Sequence, residues 1–209
     1  MKSVRLTCAS VLCLLSFASD AVDTAQKTPV PDEILSFVGA TDTLLAYQKI
    51  DLFGTGNIDA IIIVRHQKPA AQGQNPCELV VLQRKSGTLV AMSKSNNVVD
   101  CKYNNFAKTI AKNYDDLNEY LKLKPFEVTY ENEKARGSDI YSFKFSVDKQ
   151  AWYTSKVDVS YTQTNDDNDS VEVVREVASY PKDFGWISMS AFNPNDLQDA
   201  LKKNKTIVK

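Results

Sequence analysis

The chain has 209 residues, 25 lysines and arginines against 26 aspartates and glutamates, and a single histidine. That near-neutral balance excludes the basic footprint of a nucleic-acid binder. The length suits one domain, or two small ones, with a substantial core.

Residues 1–21 read as a secretory signal peptide. Lys2 and Arg5 form a short positive region, Val11 to Ala18 is apolar, and small residues cluster at Ala18, Ser19 and Ala21. The apolar run is shorter than the roughly 20 residues a membrane span needs. Neither Cys8 nor Cys13 follows the small residue that a lipoprotein signal requires. The mature chain is therefore expected to be periplasmic or secreted, with no membrane anchor, and cleavage after Ala21 leaves 23 basic residues against 25 acidic ones.

Residues 22–39 form a polar leader with Pro29 and Pro31 and a short helix around Asp32–Val38. From residue 40 to 209 the pattern predicts a single β-rich domain. Leu44–Asp51 and Ile58–Arg65 are expected strands around a glycine-containing turn, and Ala60 to Val64 is apolar on both faces, as in a strand covered on both sides. After a polar loop over 67–76, Glu78–Lys85 and Thr88–Lys94 make a hairpin around Ser86-Gly87. Phe106, Ile110, Tyr114, Leu117 and Leu121 recur at helical spacing, which predicts an amphipathic connecting helix ended by Pro125.

The second half alternates. Phe126, Val128 and Tyr130 form the first apolar series, and Tyr141, Phe143, Phe145 and Val147 the second. Tyr153, Ser155, Val157, Val159 and Tyr161 make a third, and Val171, Val173, Arg175 and Val177 a fourth. Period two predicts antiparallel strands with one buried and one wet face. A short C-terminal helix starts at Asn193, with Pro194 at its first position and Leu197, Ala200 and Leu201 inward. The expected fold is α+β, dominated by two antiparallel meanders joined through the amphipathic helix.

With the signal removed, Cys77 and Cys101 are left, and two thiols in an oxidising compartment predict a disulfide. The most specific local motif is Asp51-Leu52-Phe53-Gly54-Thr55-Gly56-Asn57-Ile58-Asp59 ahead of the apolar strand. It resembles the D-x-[DN]-G-D-G-x-x-D loop of FG-GAP/VCBS-type repeats and of small exported bacterial proteins carrying one copy. In that family acidic side chains converge on Ca²⁺, which here implies Asp51, Thr55, Asn57 and Asp59 as ligands. Phe53 and Thr55 replace two of the family's acidic or amide ligands, so the resemblance implies a degenerate loop kept as a turn, with at most weak Ca²⁺ binding and no other cofactor. No second copy occurs, which argues against a propeller.

Other motifs are sparse. Asp166, Asp167 and Asp169 read as a solvated turn. His66 ends the apolar strand without a G-x-S-x-G serine elsewhere, and no phosphate-cradling glycine loop is present. No carboxylate pair stands out. Seven aromatics of the second half (Tyr141, Trp152, Tyr153, Tyr161, Tyr180, Phe184 and Trp186) supply core and candidate interface anchors. The expected function is an exported, non-enzymatic protein-binding domain, such as an immunity protein or inhibitor of a toxin or lytic enzyme in the envelope. Two alternatives are an envelope hydrolase acting on carbohydrate or peptidoglycan, and a calcium-binding structural domain.

Overall fold

The computed structural model describes residues 30–67, 75–101, 114–165 and 169–208; the expected signal peptide and residues 22–29 of the leader lie outside them. The expected β-rich fold is present, as two antiparallel sheets. The first has the order β1 (Thr43–Ile50), β2 (Asp59–Arg65), β3 (Cys77–Lys85) and β4 (Thr88–Ser95). The second has six strands in the order β10-β9-β8-β7-β6-β5. These are β5 (Leu121–Lys124), β6 (Glu127–Lys134), β7 (Gly137–Ser146), β8 (Ala151–Thr164), β9 (Val171–Ser179) and β10 (Lys205–Val208). A four-residue helix α1 (Asp32–Leu35) precedes the first sheet, and α2 (Gln198–Lys203) lies between β9 and β10. No helix among the described residues is long and apolar enough to cross a membrane.

The first sheet is the middle of three layers. All residues of β2 but the last are buried, as its two-sided apolar run demands. On one side, Ile62, Val64, Val80 and Leu82 pack with Ile34 of α1. On the other, Ile61, Ile63, Leu79 and Val81 meet Val128, Phe143, Trp152 and Val157 of the six-stranded sheet, with Phe192, Leu197 and Leu201 closing one end. Cys77 and Cys101 are joined, their Cα atoms 5.8 Å apart, which ties the start of β3 to the segment after β4.

Of the stripe expected to form the connecting helix, only the last part lies among the described residues. Phe106 and Ile110 lie outside the described residues, Tyr114–Tyr120 is a 3₁₀ helix, and Leu121 begins β5 instead of closing a helical stripe. Buried Leu117 keeps its expected inward position. Two-residue turns set the hairpins. Ser86 and Gly87 both have positive φ, as the twist of a tight hairpin requires. Pro125-Phe126 reverses the chain between Lys124 and Glu127, with Phe126 at φ 62° and 37% exposed. Phe126 therefore belongs to the turn and not to the inward series of Val128 and Tyr130. The C-terminal helix starts where Asn193 caps Pro194, first as a 3₁₀ turn and then as α2, with Leu197 and Leu201 buried.

Two strands of the second sheet differ from the simple alternation. Ser142 pairs with Lys156 and Phe143 with Thr154, so Ser155 is the extra residue of a β-bulge, its hydroxyl donating to the Ser142 carbonyl at 3.0 Å. A bulge exchanges the faces of all residues beyond it. Trp152 and Thr154 thus point inward before it, Val157 and Val159 after it, and Tyr153 is turned to the outer face. On β9 the inward set is Val174, Glu176 and Ala178, while Val171 and Val173 are exposed at 72% and 43%.

Candidate functional site

The 51–59 loop can be traced atom by atom. Asp51 accepts from the backbone N–H groups of Thr55 (2.9 Å) and Gly56 (2.8 Å). Asp59, fully buried, accepts from Leu52 (2.9 Å) and Phe53 (3.3 Å) through Oδ2 and from Arg84 (2.8 Å) through Oδ1. The Thr55 hydroxyl accepts from the backbone N–H and side-chain amide of Asn57. The four side chains named by the calcium-loop resemblance are thus engaged in holding the turn, and no group of three or more metal-ligating side chains occurs among the described residues. Phe53, where the family has a ligand, is buried and packs edge-on against Phe145 (4.8 Å between centroids) and Trp152 (5.7 Å). The Leu52 carbonyl accepts from the Phe126 N–H at 2.7 Å. The loop clasps the first sheet to the second, and Gly54 (φ 64°) lies so close to the Phe126 ring that a Cβ would come within 2.9 Å.

His66 directly follows β2, with Nδ1 2.8 Å from Asp42 and Nε2 3.5 Å from Glu78. The hydrogen bond from His66 holds the Asp42 carboxyl below the usual carboxylate range. Of the Asp166–Asp169 turn only Asp169 is described, at φ 55°; Asp166 and Asp167 lie outside the described residues.

Two surfaces remain, one on each face of the six-stranded sheet. After β9 the chain runs on beside the end of β8 that β9 leaves unpaired, and its aromatic side chains meet Tyr153. The Tyr180 N–H donates to the Ser155 carbonyl at 3.0 Å, the Thr154 N–H to the Ile187 carbonyl at 2.8 Å, and Tyr153 bridges Ser188. This sets Trp186 in a stack with Tyr153 (4.5 Å, 27°), with Tyr180 edge-on to Tyr153 at 5.2 Å. The Lys149 ammonium lies 3.9 Å over the Trp186 ring. All three rings are half-buried. Beside them runs a groove of about 310 Å³ whose walls include Ser142, Lys144, Ser155, Lys156 and Ser179. Further along this face Asp158 binds Arg175 (2.8 and 2.6 Å) and Lys156 (2.7 Å), and the Arg175 hydrogen bonds hold its carboxyl low.

No family model, no curated protein and no solved structure matches this chain. The likeness of its 51–59 loop to FG-GAP/VCBS repeats therefore rests on the loop residues alone, and function has to be argued from the two surfaces.

On the inner face, where the first sheet no longer covers it, a cavity of about 380 Å³ lies between β6–β9 and α2. Its wall carries Asp139 and Glu176, which stand in one row across the sheet: both pair with Val159, one from each side. They are only 8% and 7% exposed. Asp139 Oδ2 takes the Lys134 ammonium and, at 3.2 Å, the Tyr141 hydroxyl, while its buried Oδ1 has no partner. The Tyr161 hydroxyl donates to Glu176 at 3.0 Å. Burial pushes the Tyr141 and Tyr161 hydroxyls up in pKa, helped by the neighbouring carboxylates, so both stay protonated donors.

Sequence patterning picks out the aromatics Tyr141, Tyr153, Tyr161, Tyr180 and Trp186 but not Asp139 or Glu176. Simple alternation puts Tyr153 in the inward series, since a bulge leaves no local trace in the residues. Glu176 escapes the pattern because the Val173-Val174 doublet lets β9 be read in either phase, and pairing with Val159 decides it.

Proposed function

We propose that the protein is an exported, non-enzymatic protein-binding domain that caps a toxin or lytic enzyme in the envelope, using the outer face of its six-stranded sheet. The observation that carries this reading is the stack of Tyr153, Tyr180 and Trp186 with Lys149 above it. Aromatic side chains held by their neighbours lose little entropy on binding and dominate interface energetics. Their setting on a hydrogen-bonded sheet, beside a groove rich in hydroxyls and lysines, supplies the polar rim that such anchors need. The disulfide is compatible with an extracytoplasmic site of action.

The test uses the oxidised chain immobilised and exposed to periplasmic extract of its native host. One dominant enzyme should be retained, and its lytic activity should fall as the chain is added to one equivalent. Trp186→Ala should weaken that complex by roughly 30-fold or more, the signature of an interface anchor worth about 2 kcal/mol. A complex indifferent to Trp186→Ala and Tyr153→Ala would move the interface elsewhere. Retention without inhibition would remove the capping role.

A further inference from the structure

β10 closes one side of the six-stranded sheet, and among the described residues it pairs with β9 alone. The N–H and C=O groups along its other side form an open template for a further strand. Two of the other sheet edges are covered or charged. On β1 the Asn118 side chain accepts from the Tyr47 N–H at 3.1 Å, and Gln48 donates to the carbonyls of Asn118 and Leu121. On β5, Lys122 and Lys124 alternate with two leucines. Of the four edge strands only β10 exposes large apolar side chains, Ile207 at 50% and Val208 at 51%. Val208 pairs with exposed Val173, so an apolar row of the outer face runs out to this edge.

The same edge is basic. The last turn of α2 carries Lys202 and Lys203 and leads through Asn204 into Lys205. All three lysines are exposed, and no carboxylate lies in that stretch. Lys205 donates to the neutral Gln163 amide at 3.2 Å. The carboxylates of β9 are engaged elsewhere: Glu172 accepts from Gln163 and Asn165, and Glu176 from Tyr161. Asp199 stands a turn earlier, at the start of α2. A second copy of the chain would set these lysines against their own kind, which disfavours pairing of like edges. An acidic strand meets no such barrier.

We propose that β10 is a docking edge for an extended acidic segment of another protein, which joins the sheet as an added strand. Main-chain hydrogen bonds to β10 supply affinity, and side chains at alternate positions supply selectivity. Acidic residues of the segment lie on the face of Lys205 and α2, and apolar ones on the face of Val208. This edge is separate from the aromatic stack. β10 pairs with residues 173–176 of β9, which in turn pair with residues 159–162 of β8, well along the strand from Tyr153.

The test titrates the full oxidised chain, at low salt, into labelled peptides read by fluorescence anisotropy. One peptide alternates glutamate with valine, one alternates lysine with valine, and one is the glutamate peptide with prolines at its centre. The glutamate peptide should bind with a Kd of about 100 μM or tighter and protect the β10 amides from hydrogen exchange. The lysine and proline peptides should bind at least tenfold more weakly. Lys202→Glu with Lys205→Glu changes only exposed side chains, and should weaken the glutamate peptide at least tenfold while strengthening the lysine peptide. Val208→Asp should also weaken the glutamate peptide, whereas Trp186→Ala should leave it unchanged. The inference is overturned if the glutamate peptide does not bind at about 1 mM, if the lysine or proline peptide binds equally well, or if binding leaves the β10 amides unprotected. It also fails if sedimentation shows the chain pairing with itself and Lys205→Glu alters that pairing, since the edge then belongs to a second copy.

Discussion

The two sheets treat their second faces in opposite ways. The central strands of the four-stranded sheet are covered on both sides, by α1 and by the other sheet, and their side chains are almost all aliphatic. The six-stranded sheet buries one face and gives the other to water. It is there that serines, lysines and acidic residues alternate and the aromatic stack forms. A strand covered twice has no surface left for recognition, and its sequence is specified by packing alone. Both candidate binding surfaces consequently lie on the sheet that keeps a wet face or an uncovered end, and a search for function in β2 and β3 would find only core.

Substitutions can press on that contrast. The largest effect is expected at the doubly covered sheet: Ile62→Asn places an amide in the apolar layer between that sheet and α1. It should cost about 4 kcal/mol or more in urea unfolding, enough to unfold a marginal domain, whereas Thr162→Asn on the outer face should stay within about 0.5 kcal/mol. If the two losses were equal, the distinction between the sheets would fail. Next comes the staple on the first sheet. Cys77→Ser with Cys101→Ser should cost roughly 3 kcal/mol, read as a lower urea midpoint with the reduced wild type falling to the same value.

The smallest effect is expected on the wet face and depends on pH. Arg175 and Lys156 hold the Asp158 carboxyl below its unfolded value. The stability this gives is present above the unfolded aspartate pKa of about 3.9 and is lost as pH falls below it toward the folded value. Urea midpoints measured from pH 7 down to pH 3 should therefore drop less steeply for Asp158→Asn than for wild type, all of the difference arising below about pH 4. A parallel shift at every pH would show that the ion pairs do not set the acid limb.

Much of this architecture was legible in the residues. The run from Ala60 to Val64 announced its two-sided burial, the Ser86-Gly87 turn its hairpin, Asn193-Pro194 the C-terminal helix, and the pairing of Cys77 with Cys101 followed from removing a signal. What escaped has a common physical cause. A bulge at Ser155 costs no change in composition, yet it reverses Tyr153. β10 is four residues of which every side chain is exposed, so no apolar periodicity marks it. The row Asp139–Val159–Glu176 exists only through pairing between three strands, and the distance along the chain hides it. Phe53 looked like a ligand position filled by the wrong residue, and in the fold it is an anchor for the opposite sheet.

That anchor has a consequence for how the molecule can open. A sandwich held by facing side chains alone can part like two plates, each keeping its own hydrogen bonds. Here the tip of one sheet is threaded into the other, through the Phe53 ring among Phe145 and Trp152 and through the Leu52 carbonyl on the Phe126 N–H. Asp59 links the same loop to Arg84 in β3, so neither sheet can loosen without disturbing the partner's network. Partial openings are thereby pushed up in free energy toward the cost of unfolding the whole. A single cooperative unfolding transition is therefore expected even though the two sheets share no strand.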